Sequence, residues 1–401
     1  MGRFASRRAA LLEELDELLV LGALRDSDGL LAINIGKGSL GLTNAETINA
    51  TSLTLGAITR SLGGTVNVNL PTGGSVNVSG ADGLIGGWAT VNGNTFATLS
   101  SGVLTGLSAG SYVTDAWTTG ANVDATVASQ PTAGSTINAF RVNAPAVVTL
   151  SGLNTITSGG ILVGNGLGSG LAALNGGQLT AGVAGAANEL IVSQQNTGSV
   201  FSLGSALVDN AGGVTSLTKS GDGTVALTGI SSLSGVLRVN SGTLQLDSSK
   251  ISTSLAGANL YSSNLVNAAA TINVAQGATL AVVRADGLVR LQNAVTGSGT
   301  IVLDPHTAAG TSGLDSSNWI LAGTLANFTG SLVNIAGSEM KSVSLLISAS
   351  SLAMMAGRAS SRFFSVKLRP SAAFFTSARK FTWDDPDFVG ISSAKAPRCA
   401  A

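Results

Sequence analysis

The chain has a single cysteine, Cys399, near its end, and a single histidine, His306. One thiol cannot form an intrachain disulfide, and no multi-cysteine metal site can be built. Charged side chains supply 10% of the 401 residues and aromatic ones 4%, a composition foreign to a helical protein and unusual for an enzyme with a polar cleft. Residues 32–340 carry 8 Lys or Arg against 12 Asp or Glu. No basic patch lies there, so nucleic acid has no electrostatic footprint on this region. Calcium-binding repeats of the G-G-x-G-x-D type are also absent, and neither a metal nor another cofactor is expected. Disorder is excluded on the opposite ground. Apolar residues make up 44% of the chain, whereas disordered chains have low hydrophobicity.

What the chain does have is glycine, 53 residues of it, in regular places. Gly223-Thr224-Val225-Ala226-Leu227 and Gly242-Thr243-Leu244-Gln245-Leu246 each set a glycine before a short alternating apolar run, 19 positions apart. Gly64-Thr65-Val66-Asn67-Val68, Gly74-Ser75-Val76-Asn77-Val78, Gly277-Ala278-Thr279-Leu280, Gly299-Thr300-Ile301-Val302-Leu303 and Gly330-Ser331-Leu332-Val333-Asn334 follow the same plan. Alternation with period two marks a half-buried strand, and glycine with Asn, Ser or Asp marks the turns. Gly277 to Gly299 is 22 residues and Gly299 to Gly323 is 24, which predicts a solenoid of stacked β coils. At about 22 residues per coil and ~4.8 Å between strands, roughly 14 coils would make a rod about 65 Å long. Val225, Leu227, Leu244 and Leu246 should face inward, and Thr224, Ala226, Thr243 and Gln245 outward.

Composition marks three regions. Residues 1–31 read as an amphipathic helix, in which Leu11, Leu12, Leu18, Leu19 and Leu21 alternate with Glu13, Glu14, Asp16 and Glu17. These acids break the apolar core that a secretory signal needs, so the expected role is a solenoid cap. Residues 32–341 are the repeat region. Residues 342–401, with 9 basic against 3 acidic side chains from 341 onward, read as an irregular basic tail. Its apolar run Ser344 to Gly357 is too short to span a bilayer.

Few residues suggest chemistry. Gly106-Leu107-Ser108-Ala109-Gly110 fits the hydrolase G-x-S-x-G pattern, but the helix that must follow it is missing, and a glycine turn is expected. Gly164 to Gly170 is glycine-rich without a P-loop lysine and reads as a protruding loop. Asp115 and Asp124 are the candidate catalytic acids, with Trp117 between them and Trp88 as candidate sugar platforms. The competing reading makes the acids solvated turn carboxylates and the tryptophans packed anchors. Asn67, Asn69, Asn77, Asn240 and Asn273 lie beside strands and are expected to hydrogen-bond along the stack.

The stretch LTKSGDGTVALTG followed by LSGVLRVNSGTLQL resembles the autotransporter-associated β-strand repeat, also called the passenger-associated transport repeat, of bacterial surface proteins. Lys219-Ser220-Gly221-Asp222-Gly223-Thr224 and Asn240-Ser241-Gly242-Thr243-Leu244 match its pattern, while Ser234-Gly235 stands where the family has Thr-Gly. Ile85 to Val113, around Gly86-Gly87-Trp88-Ala89-Thr90-Val91-Asn92-Gly93, is similar to a block that accompanies the repeat, and Glu189 to Gln194, leading into Leu217, is similar to family sequence as well. The resemblance covers roughly residues 40–340. It implies an all-β, right-handed parallel β-helix, extracellular or at the outer-membrane surface, acting in adhesion or display without catalysis. The partners implied are surface glycans or other cells. The alternative is a β-helix polysaccharide lyase or glycosidase using Asp115 or Asp124. No signal peptide or translocator barrel is visible in the sequence, so the expectation is a passenger region, or a fragment of one, without its export machinery.

Overall fold

The computed structural model describes residues 73–247 without interruption. It also describes 52–70, 266–267, 269–283, 288–304, 318–321, 323, 325 and 327–334, and strands at 19–20, 33–34, 40–42, 45–49, 339–345 and 366–368. Among these residues the only helical elements are two 3-10 turns, Ala109–Ser111 and Asn165–Leu167. No helix among them is long and apolar enough to cross a membrane, which says nothing of a β-barrel.

From Val113 onward the chain winds as a parallel β-helix. Strands alternate between a ten-stranded sheet, from Val113–Thr114 to Asn327–Phe328, and a nine-stranded sheet, from Thr136–Ile137 to Ser331–Asn334, and every pairing in both is parallel. The paired glycine units stack as the alternation requires. Thr224 lies beside Thr243, Val225 beside Leu244 and Leu227 beside Leu246. Val225, Leu227, Leu244 and Leu246 sit in one continuous core that runs from Trp117 to Leu325. Ala226, expected outward, is also buried, because its methyl lies in register between the longer Ser202 and Gln245.

Coil length is less regular than the glycine spacing implies. The register offset is 19 residues from Val225 to Leu244, 36 from Leu244 to Leu280, 21 from Leu280 to Ile301 and 31 from Ile301 to Leu332. Gly299 stacks on Gly330, whose neighbour Ser331 donates its N–H to the Gly299 carbonyl at 2.9 Å. Gly323 instead packs against Asn293, on another side of the coil. Each coil has several turns, and a glycine marks a turn on any of them, so intervals between glycines mix different sides. The ten strands of the longer sheet, at ~4.8 Å per step, span about 43 Å.

A third side completes the coil. The strands Ala146–Ile156 and Ala172–Ala181 bend midway, with register breaks at Leu150/Leu153 and Asn175/Gln178. The bend is made of stacked left-handed glycines, Gly152 at φ 65° and Gly177 at φ 50°, a conformation open to glycine at little cost. Further along, bridges join Leu207, Ser231 and Val266, and Leu288–Leu291, Asn318–Leu321 and Glu339–Leu345 form a parallel sheet of their own. That sheet continues through Val343 beside Val366. Regular β-structure therefore enters the segment read as an irregular tail, where Val343, Leu345, Val366 and Leu368 alternate as strand residues do. The rest of 342–401 lies outside the described residues.

The described residues before Val113 do not extend the same stack. Ser52–Arg60 pairs in parallel with Ser75–Ser79, and Ala45–Asn49, Thr65–Asn69 and Ala89–Val91 form a second parallel ladder. The block around Trp88 then departs from parallel coiling. Ala89–Val91, Thr95–Ser100 and Val103–Gly106 form an antiparallel meander, joined by a three-residue turn at 92–94 and a two-residue turn at 101–102, each short enough to reverse the chain. This unit has its own core, including Val66, Val76, Leu99 and Leu104. Of the helix expected over 1–31, the one described part, Leu19–Val20, is a strand paired with Leu40–Gly41. An extended backbone gives this apolar pair the hydrogen-bond partners that a strand edge offers; the remainder lies outside the described residues.

Candidate functional site

The N-terminal unit lies across the outer face of the ten-stranded sheet and buries it on both sides. Strands Ala139–Val142, Gly160–Val163, Asn188–Gln194 and Thr215–Ser220 are buried at every residue. Close approach is made at Gly87, whose Cα packs on the backbone of Gly160 and Ser158, leaving no room for a side chain. Phe96, Tyr112, Ala139 and Leu162 form a small apolar cluster in the seam.

Polar groups stitch the rest. Arg60 donates to the Glu189 carboxylate, which also accepts from the Thr218 hydroxyl. Thr65 and Ser220 share a hydrogen bond of 2.8 Å, and Asn240 donates to the Gly63 carbonyl at 2.6 Å. The Arg60 guanidinium lies 5.7 Å from the Trp88 ring centre. Trp88 is thus half-buried beside the seam, packed on the core of the N-terminal unit. Glu189→Ala should leave Arg60 without its anion and cost about 2–3 kcal/mol. Limited proteolysis within residues 52–112 should accelerate, while cleavage of the solenoid past residue 266 should not change.

Asp124 and Arg141 are register partners on neighbouring coils. Arg141 reaches the Asp124 carboxylate through Nε at 3.0 Å and Nη2 at 2.5 Å, and donates to the Asn94 carbonyl at 3.3 Å. Its guanidinium stacks on Tyr112, 3.7 Å from the ring centre. Burial works against the arginine charge, but the Asp124 and Tyr112 contacts outweigh it and raise the pKa. Asp115 sits at φ 55°. Its carboxylate accepts from the Thr126 amide at 2.7 Å, the Thr126 hydroxyl at 2.6 Å and the Val127 amide at 3.2 Å. Burial pushes its pKa up, yet these hydrogen bonds prevail and hold it below the usual aspartate value. The two backbones touch, Asp115 N–H donating to the Asp124 carbonyl at 2.9 Å. Their carboxylates are directed to different partners. Trp117 is buried in the solenoid core, 5.4 Å from the Phe140 ring centre.

The other motifs resolve as local structure. Ser108 shares a hydrogen bond of 2.8 Å with Ser111 at the 3-10 turn after Gly106, and His306 lies outside the described residues. Asn165–Leu167 is likewise a 3-10 turn, anchored by buried Leu167. Of the asparagines expected to bond along the stack, Asn67 accepts at 3.0 Å from the hydroxyl of its register partner Thr90, and Asn273 donates at 3.0 Å to that of its register partner Thr296, while Asn240 donates across the seam to Gly63. Asn154, Asn188 and Asn293 each donate to turn carbonyls, while Asn138 to Asn122 at 2.7 Å links successive coils.

Lys219 is the residue that sequence reasoning missed. It is fully buried, in register with Val192 below and Val239 above, so its side chain occupies an inward position. Its ammonium donates to the carbonyls of Gly221 and, at 2.8 Å, Ser241, packed against the Cα of Gly242. Desolvation lowers its pKa from 10.5 to about 7, opposed by the charge of Asp222. The available signal was phase: Leu217 and Lys219 share one face of a strand.

The chain is 33% identical over 232 residues to a curated protein named adhesin BmaC autotransporter, from Brucella suis biovar 1 (strain 1330). The aligned region takes in 53% of this chain and 6% of that protein, so the chain spans a small fraction of its relative's length. No family model matches the chain, and no solved structure matches it. The parallel coils and this relative support the resemblance carried by Lys219 to Thr224 and Asn240 to Leu244: the chain is similar to an autotransporter passenger built from β-strand repeats.

Proposed function

We propose that this chain is a non-enzymatic part of a surface-exposed passenger, a β-solenoid that serves adhesion or display at the outer-membrane surface or outside the cell, with surface glycans or other cells as its partners. The similarity to an autotransporter adhesin over half the chain carries this reading. The parallel stack supports it, since such a fold offers length and a repeated surface. The two acids that would serve a glycan-cleaving enzyme are engaged structurally. Asp124 pairs with Arg141, and Asp115 accepts three hydrogen bonds that favour its ionised form. A general acid must hold a proton near its working pH, which the environment of Asp115 opposes.

The test is twofold. Beads coated with the purified chain should adhere to cultured animal cells or to bacterial cells above uncoated beads, and pretreating the cells with glycosidases should reduce the adherence. The same protein, incubated with acidic and neutral polysaccharides, should release no reducing ends or unsaturated products. Turnover that disappears in Asp115→Ala or Asp124→Ala would replace the adhesion reading with the enzymatic one.

A further inference from the structure

The N-terminal unit covers a sheet face whose residues are those of a solvated one. A parallel sheet covered on both faces normally carries near-continuous apolar runs. Here the two faces differ. Along Asn188–Gln194 and Thr215–Ser220, Leu190, Val192 and Leu217 enter the solenoid core. The opposite face presents Glu189, Ser193, Ser216, Thr218 and Ser220, with Ile191 the one apolar residue among them. All six are buried. A polar contact of this kind between two folded units leaves them free to move relative to one another.

The seam also changes character along its length. Beside the linker that joins the unit to the solenoid it is apolar and close. Phe96 and Tyr112 pack with Ala139 and Leu162, the Tyr112 hydroxyl accepts from the Phe96 amide at 3.1 Å and lies 2.9 Å from the Thr95 hydroxyl, and Gly87 meets Gly160. One to three strands further along the sheet the contacts are polar: Arg60 to Glu189, Thr65 to Ser220, and Asn240 to the Gly63 carbonyl. Arg238 ends this far edge, its side chain against Gly63 and its Nη1 buried without a hydrogen-bond partner, a penalty that hydration removes. Residues 108–111 of the linker are exposed.

We propose that the N-terminal unit is a hinged cover, which turns about residues 108–112, lifts its far edge and uncovers the outer face of the sheet from Glu189 to Arg238. The unit keeps Val66, Val76, Leu99 and Leu104 in a core of its own, and the solenoid keeps its separate core. Lifting therefore releases polar side chains to water and leaves the apolar contact at the hinge in place. The outer face becomes a surface that the protein presents in its open state alone. This device goes beyond the adhesion reading and does not depend on it.

Thiol labelling of the full chain with iodoacetamide, in a Cys399→Ser background, tests the hinge. Thr218→Cys and Ser220→Cys put reporters under the far edge, and Val192→Cys puts one in the solenoid core; all three positions are buried. The outer reporters should label about tenfold faster than Val192→Cys or more, because they need only a partial opening, whereas a core thiol waits for the coils to part. Each outer reporter gives up a different contact, Thr218 to Glu189 and Ser220 to Thr65, so fast labelling at both is not the effect of one lost bond. Glu189→Gln removes the anion that holds Arg60 and should speed both outer reporters about tenfold again, with Val192→Cys unchanged. One common rate at all three positions overturns the proposal, since the unit would then leave the sheet only when the solenoid unfolds. Equal acceleration of Val192→Cys by Glu189→Gln overturns it as well, because the substitution would then act on the whole fold and not on a hinge.

Discussion

Leu244→Asp should open the middle of the solenoid, at a cost of about 4 kcal/mol or more, whereas Gln245→Asp one position along should cost about 1 kcal/mol at most. Leu244 has no exposure and lies in register between Val225 and Leu280, all three in the common core. An aspartate there would have no cation within the apolar column, so its charge must be neutralised or exposed by parting the coils. Gln245 lies on the opposite face, half-buried between Ala226 and Ala281, outside the column that Leu244 shares with Val225 and Leu280; its side-chain oxygen is already buried without a partner, so a shorter polar side chain there adds little new cost. Limited proteolysis should cut Leu244→Asp within residues 217–246 well before wild type, with Gln245→Asp close to wild type, and urea melts should rank the three in the same order. Equal resistance in the two variants would mean that the alternation does not define the core, and the solenoid account would fail with it.

That contrast rests on a pattern readable in one dimension, and the fold was legible to that extent. Alternation in Thr224 to Leu227 and Thr243 to Leu246 fixed which side chains meet, because strand periodicity is local. Coil length was not readable, since glycines such as Gly299 and Gly323 sit at turns on different sides of the coil. Docking of the N-terminal unit was invisible for another reason. Arg60 and Glu189 are 129 positions apart, and Thr65 and Ser220 are 155 apart; nothing local in either segment announces its partner. The block around Gly86-Gly87-Trp88 stood out by resemblance, but its reason is the approach of Gly87 to Gly160, which only the third dimension shows. Of the residues singled out for chemistry, Asp115 and Asp124 do lie side by side along the backbone. Their partners Thr126 and Arg141 could not be chosen from spacing alone, because both neighbourhoods are rich in hydroxyls and amides.

Stability should rise as pH increases from about 7 to about 10, and Lys219 is the cause. In the unfolded chain its amine would hold a proton up to the ordinary lysine value of 10.5, while in the folded protein burial brings the pKa to about 7. Between these values the unfolded state binds one more proton than the folded state, so unfolding becomes less favourable as pH rises. Below pH 7 both states are protonated and this contribution is flat, at its least favourable. Across the full window the gain is on the order of several kcal/mol. Asp222 partly offsets the desolvation, and the direct partners are the neutral carbonyls of Gly221 and Ser241, which bond the ammonium more strongly than the amine but do not outweigh its burial. Lys219→Met keeps a long side chain beside Val192 and Val239 and cannot titrate. Its urea midpoint should therefore lose the upward slope between pH 7 and 10, whatever its absolute stability becomes once the two carbonyls lose their donor. Parallel slopes in wild type and Lys219→Met would show that the amine stays charged in the folded coil, held by groups stronger than two turn carbonyls.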